Sequence, residues 1–363
     1  MANFKNAFSV KQPDIHVVIG PPSTGKTALI RQVVQSSKCL FKPIFINLCN
    51  GQFDIPQRVY DSIYSQFNPF FNKYKSLLKN NFVKKLCLEY TDFNLLNRFN
   101  NRYREKTSDD VRILLEKITN LLNQLGHKDK SLLKLILNWF VLNSKERERF
   151  HIVLTSSDSF FFTWLTECLN TLHVKPYIIG DLTNQEAEEY FEKHAFHQYG
   201  CKELSGKFNQ IRKITGTRIF IINKYINEYK IYRNDGIKFK ANRFSVYESE
   251  YNKLNHGLYP DSYNFRFLDK LNPPLWNDVD LIKVMNEIVK AENQGYIFEN
   301  DLIKEIGAEK VYSLIDYNFL HHRLTTRFTY DIIDPPNKII LTAMNQPSVC
   351  AMKQVLSEIV EKK

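Results

Sequence analysis

HVVIGPPSTGKTALIRQVV, residues His16 to Val34, decides how the chain must begin to fold. Val17 to Gly20 is apolar or near-apolar and predicts a short buried strand. Gly20, Pro21, Pro22, Ser23, Thr24, Gly25, Lys26 and Thr27 then satisfy the pattern G-x-x-x-x-G-K-[ST]. From Thr27 the apolar residues recur at helical spacing, so the motif stands between a strand and a helix, as its chemistry requires. Glycines let the backbone wrap closely around an anion. Successive N–H groups and the positive end of the helix dipole then face it. Lys26 is placed for the β- and γ-phosphates of a nucleotide, and the Thr27 hydroxyl for Mg²⁺. The competing reading is a chance glycine turn. Glycine supplies 12 of 363 residues, against a usual share of about 7%, so an accidental match is rare here.

Working outward, a chain of 363 residues predicts two or three domains. Its 43% hydrophobic and 25% charged residues are ordinary for a globular protein. The cysteines at 39, 49, 87, 168, 201 and 350 show no paired spacing. That disfavours structural zinc and a disulfide framework and fits a reducing compartment. The first residues lack a long apolar stretch, and the longest apolar run, Leu132 to Leu142, is too short to span a bilayer. The expectation is a soluble intracellular protein, cytoplasmic or nuclear.

The net charge is +11, unevenly distributed. Trp276 to Lys363 holds 10 basic and 13 acidic residues, net −3. Lys73 to Lys106 holds 9 basic and 3 acidic, and Lys207 to Arg243 holds 10 and 2. Such excess is either a solvated face or a site for an anionic partner.

Several elements follow the first helix. Lys42 to Leu48 predicts a second strand, and Ile55 to about Leu125 a helical stretch rich in Phe, Tyr, Lys and Asn. Ser131 to Asn143 reads as a helix, Phe150 to Ser157 as a strand ending in small hydroxyl residues, and Pro176 to Leu182 as another strand. Thr183 with Glu186 predicts a capping box opening a helix. Ile211 to Tyr232 is helical around Thr215-Gly-Thr-Arg218, while Asn234 to Pro274 reads as a long connection. Helices are then expected over Asp278–Asn293, Phe298–Ile306 and Glu309–Phe319. A β-hairpin turning at Asp334 to Asn337 and a final helix from Pro347 follow, the layout of a winged helix.

Taken together, Ile19 to Thr27, His151 to Asp158, Ile179 to Ala187 and Ile214 to Arg218 resemble the archaeal-type ATPase domain of the P-loop superfamily, near the AAA+ and signal-transduction ATPases. The resemblance spans most of residues 13–345. It implies an α/β fold with a parallel sheet covered by helices on both faces, a helical lid and a C-terminal winged helix. The implied division is a core over 1–180 with a helical insertion at about 55–130, a lid over 181–235, a linker over 236–275 and the winged helix over 276–363. ATP and Mg²⁺ are the implied ligands. Ser156 and Ser157 are implied to sit beside the γ-phosphate, and Arg218 to reach the nucleotide from the lid, although Thr217 stands where the family turn usually carries a second glycine.

Hydrolysis in that family also implies an apolar strand ending in Asp-Glu. No such strand is readable. Leu86-Cys-Leu-Glu89 is short and early, Asp129 lies in the polar joint Gly126 to Lys130, and Asp158 falls at the place of the serine element. Either the strand was lost or the sequence lacks a segment. The readings are therefore an ATP-binding switch with weak or lost hydrolysis, a DNA-associated ATPase, or a non-enzymatic scaffold. The third C-terminal helix is mostly apolar with a single lysine, which favours a protein partner for that module over a DNA groove. The adjacent His321 and His322 point to opposite faces of a strand and carry little weight as a metal pair.

Overall fold

The computed structural model describes residues 13–36, 132–148, 150–169, 174–263, 273–324, 331–332 and 336–361. The strand expected at 42–48, the helical stretch at 55–125, Glu89, the joint at 126–130 and residues 325–330 lie outside them. The chain divides into two compact units. The first comprises residues 1–15, 31–152 and 168–173; the second comprises 16–30, 153–167 and 174–363.

In the first unit, the later residues of helix α1 (Lys26–Ser36) are followed among the described residues by α2 (Leu132–Val141). A π-helical turn, Leu142–Glu146, extends α2. There Asn143 Nδ2 donates to Trp139 O at 2.9 Å and Ser144 Oγ to Phe140 O at 2.8 Å. Short polar side chains compete in this way for backbone carbonyls one turn back. Asp14 pairs with Lys145. Its amide donates to His151 Nδ1 at 3.2 Å, and its carbonyl accepts from Ile152 N at 2.9 Å.

The second unit carries most of a three-stranded parallel sheet in the order β2-β1-β3, with β1 at Ile15–Ile19, β2 at Ile152–Ser156 and β3 at Val174–Ile178. The expected parallel sheet is thus present. β1 is central and buried at every position, which is why it is apolar at all positions but one rather than alternating. Its one polar member, His16, has Nδ1 3.1 Å from the Tyr177 hydroxyl of β3. Helix α3 (Phe161–Cys168) follows β2.

After β3 the chain becomes helical. Thr183 and Glu186 form the expected capping box, opening α4 (Asn184–Tyr190). A π-helical turn then leads into α5 (Phe196–Tyr199). Gly216 divides the helical stretch expected from Ile211 to Tyr232 into α6 (Phe208–Thr215) and α7 (Ile219–Asn234). These helices enclose their own core around Phe191, Phe196, Phe208, Ile222 and Ile226.

The reading of Asn234 to Pro274 as a long connection is corrected by α8 (Ser245–Gly257). Tyr247, Tyr251, Leu254 and Leu258 lie at helical spacing and all pack against the C-terminal core. Frequent polar residues between them hide the period. The C-terminal module continues with α9 (Asp278–Lys290), β4 (Ile297–Phe298), α10 (Glu299–Ile306), α11 (Ala308–Asp316), β5 (Leu320–Arg323), β6 (Ile340–Ala343) and α12 (Gln346–Glu361). The strands form an antiparallel sheet in the order β4-β6-β5, with His321 opposite Thr342 and Arg323 opposite Ile340. Asn277 and Asp280 form a capping box at α9. Leu281, Met285, Leu314, Phe319, Leu341 and Met352 are among the buried side chains joining these elements.

Candidate functional site

The loop after β1 is shaped by its glycines and by Lys26. A Cβ on Gly20 would lie 2.0 Å from the Ile179 carbonyl oxygen, so only glycine fits where β1 ends beside β3. Gly25 has φ +85° with open space around its Cα, a left-handed turn that sends the chain into α1. Ser23, exposed, also has positive φ at 63°. Thr24 Oγ1 donates to Pro21 O at 3.0 Å and closes the loop on itself.

Lys26 is 9% exposed. Its Nζ donates to Gly20 O at 2.9 Å and Pro21 O at 2.8 Å. A cation is therefore held inside the loop by carbonyl dipoles, and among the described residues no carboxylate is bonded to it. Burial, with the charge of Arg218 added, pulls the Lys26 pKa down from 10.5 to about 8. A group so destabilised as a cation gains from an anion brought beside it. Thr27 and Pro22 are exposed at the mouth of the loop, with Thr27 on the first turn of α1. The loop fits a phosphate chain: glycine at the close approach, a buried ammonium and a helix N-terminus converge. For a divalent ion it offers the Thr27 hydroxyl. No group of three or more His, Cys, Asp or Glu able to hold a metal occurs among the described residues.

Arg218 reaches this loop from the start of α7. It is 5% exposed. Nε donates to Asp181 Oδ1 at 2.6 Å, and Nη2 donates to Asp181 Oδ2 at 3.2 Å and Met344 O at 2.8 Å. Nη1 donates to Pro22 O at 3.0 Å. Four of the five guanidinium hydrogens are thereby engaged. The expected reach from Arg218 toward the loop exists as geometry, but most of it is spent on protein oxygens.

Ser156 and Ser157 are arranged differently. Ser156 Oγ accepts the Asp158 amide at 3.0 Å, and Asp158 Oδ1 accepts the Phe160 amide at 2.8 Å. Ser156 is half-buried and Ser157 exposed. Ser156 is the last residue of β2, and Ser157 follows it on the way to α3.

Near the loop, Asp181, Asp331 and Arg323 carry no site role in the sequence reading, and His321 figures there only as half of a metal pair. Asp181 is the counter-ion of Arg218. Asp331 accepts the Asp181 amide on Oδ2 at 3.1 Å and pairs bidentately with Arg323 at 3.0 and 2.9 Å. His321, 3% exposed, has no hydrogen-bond partner at either ring nitrogen among the described residues. Burial, and after it the charges of Arg323, Arg218 and Lys26, push its pKa well below the usual histidine value. It is neutral at pH 7. Its neighbour His322 turns elsewhere, with Nε2 3.2 Å from Glu299 Oε1. The two do not converge as ligands.

A family model describing an ATPase domain found predominantly in Archaea matches residues 3–224. The chain belongs to this family. The match to the ATPase domain covers the phosphate loop, the sheet, Asp181 and Arg218, and ends within α7. No curated protein matches the chain. Among solved structures, the chain is similar to one in the structure of Drosophila ORC bound to DNA, at 11% identity, with 95% of this chain and 90% of that chain covered and a TM-score of 0.25. Membership makes this a P-loop ATPase-type protein. No helix among the described residues is long and apolar enough to cross a membrane.

Proposed function

We propose that the chain binds ATP or ADP at Gly20 to Thr27 and works as an AAA-like, nucleotide-dependent switch with little or no hydrolysis of its own. The observation that carries this reading is Lys26, a buried ammonium held within the loop by the Gly20 and Pro21 carbonyls at 2.9 and 2.8 Å and, at 3.5 Å, by the Thr24 hydroxyl. The loop amides and Lys26 would take the phosphates. Among the described residues Arg218 keeps one Nη1 hydrogen for a phosphate oxygen while its others hold Pro22, Asp181 and Met344. Mg²⁺, held at Thr27 and by phosphate oxygens, would offset the charge of the triphosphate. Ser156 and Ser157 are assigned to the γ-phosphate side on the family resemblance alone.

The switch reading takes the helical segment 181–235 as a lid and the C-terminal module as a winged helix. Arg218 bonds simultaneously to the loop at Pro22 and to Met344 after β6. A change at the loop is thus felt at the module. On α11 the lone cation Lys310 is paired with Asp280 at 2.8 Å, and Tyr312 is 40% exposed. That supports a protein partner for the module.

A second reading, a DNA-associated ATPase, rests on the exposed Lys207, Lys213, Lys238, Lys240 and Arg243 of the lid and the segment after it. It predicts steeply salt-dependent DNA affinity that falls when these residues are replaced by Gln.

Calorimetry with ATP and ADP tests the principal reading. Lys26→Ala should weaken binding by about a hundredfold, the worth of a charge-assisted hydrogen bond to phosphate of about 1.5–3 kcal/mol. Wild-type binding that survives undiminished in Lys26→Ala would sink the assignment.

A further inference from the structure

We infer that Asp331, in the C-terminal module, is a positioning residue for the phosphate loop, acting through Asp181 and Arg218. The inference rests on the proposed nucleotide site. Its geometric part stands on a continuous line of contacts within the second unit. Arg323 grips Asp331 through two hydrogen bonds at 3.0 and 2.9 Å. Asp331 Oδ2 accepts the amide of Asp181 at 3.1 Å. Asp181 holds Arg218 with both carboxylate oxygens. Arg218 then donates to the carbonyl of Pro22 in the loop.

Three features make this line more than surface ion pairing. Arg323 and Arg218 are 4% and 5% exposed, so each guanidinium, always charged, depends on its carboxylate. Asp331 bonds to the backbone of Asp181 rather than to its side chain, so it fixes where the chain lies, and with it the carboxylate that aims Arg218. The residue beside this contact is Gly180, where a Cβ would lie 2.2 Å from both Asp331 carboxylate oxygens. The approach exists only because the side chain is missing there.

If loop geometry depends on this line, then nucleotide binding and the seating of Asp331 favour one another equally, since coupling between two sites is reciprocal. A purely structural Asp331 would lower stability without changing the loop.

The test uses the full chain and two readouts. Hydrogen exchange of residues 16–30 is measured without nucleotide, and ADP affinity by calorimetry, for wild type, Asp331→Asn, Arg218→Ala and the double variant. Asp331→Asn should raise exchange in the loop severalfold and weaken ADP by about tenfold. The double variant should bind ADP no more weakly than Arg218→Ala alone, because both act on one line. Increased exchange confined to residues 320–345, or additive losses of affinity, would overturn the inference. If wild type binds no ADP, the nucleotide reading fails, and loop exchange alone still decides for or against the relay. Should Asp331→Asn fail to fold, Gly180→Ala displaces the same carboxylate and is held to the same two outcomes.

Discussion

The loop Gly20–Thr27 and the pair Arg323–Asp331 meet around the same two residues, Asp181 and Arg218, but are built by opposite routes. The loop is made by neighbours: Lys26 bonds to a carbonyl six residues away, and Thr24 to one three residues away. Asp331 acts on an amide 150 residues away, and Arg218 on carbonyls 196 and 126 residues away. The loop is local backbone chemistry that any strand–loop–helix of this pattern can form. The distant line exists only when the helical segment after β3 and the C-terminal module have both packed. The local part should therefore set whether a nucleotide binds, and the distant part how rigidly the loop is held.

The largest effect should come from removing the residue both regions share. Arg218→Ala leaves Asp181 without its cation and the Pro22 and Met344 carbonyls without their donor. Breaking a mostly buried pair in this way costs about 3 kcal/mol or more. Urea unfolding should show that loss, together with weaker ADP binding. A cost below about 1 kcal/mol, typical of exposed pairs, would mean that the distant contacts hold little, and the contrast drawn above would collapse.

The next effect tests the local half alone. Lys26 carries a pKa lowered to about 8 inside the loop. The unfolded chain holds this proton up to about pH 10.5, so between pH 8 and 10.5 it binds more protons than the folded chain. Lys26 then makes folding less unfavourable as pH rises through that window. Nucleotide affinity should move the other way, because phosphate needs the ammonium. ADP binding should be constant at and below pH 7, about tenfold weaker at pH 9, and accompanied by proton uptake near pH 8 to 9. Calorimetry in buffers of different ionisation enthalpy measures the uptake. Lys26→Met should flatten the profile. A flat wild-type profile through pH 9 would show that Lys26 is not the charge that meets phosphate.

What was legible in the sequence follows the same division. The loop, the buried β1, the Thr183–Glu186 capping box and the C-terminal helices α9 to α12 all rest on contacts a few residues long or on apolar periods and can be read directly. The two-residue β4, by contrast, is too short to show a period, and Asp334 and Pro335 of the expected turn lie outside the described residues. Helix α8 was missed because Asn252, Lys253 and Asn255 crowd the intervals between Tyr251, Leu254 and Leu258. Asp181 lies inside the stretch that resembles the family but has no role assigned from the sequence, and Asp331 has none either. Their role depends on Gly180 and on partners far along the chain, which no spacing reveals. His321 was set aside as half of an unlikely metal pair. Its burial beside Arg323, Arg218 and Lys26 appears only once the module is packed.

The smallest expected effect bears on hydrolysis. Asp158 is the described carboxylate that closes a β-strand of suitable character, and on sequence grounds it competes for the part of a water-positioning acid. Its surroundings give it local work instead. Its Oδ1 accepts the Phe160 amide at 2.8 Å, its own amide donates to Ser156 Oγ at 3.0 Å, and it stays exposed. This is the bonding of a turn that starts α3, not of a buried acid aimed at a phosphate. Positioning of a general base is worth about 10²–10⁴-fold in rate, so a true catalytic acid would be conspicuous when removed. Phosphate release by the full chain with Mg²⁺-ATP should be slow, and Asp158→Ala should alter it by less than about twofold. The Glu89→Ala and Asp129→Ala variants belong in the same assay, with Lys26→Ala as the floor. A loss of a hundredfold in Asp158→Ala with ATP affinity unchanged would make Asp158 the catalytic acid. The turn contacts would then be a resting arrangement of a residue that works on the nucleotide.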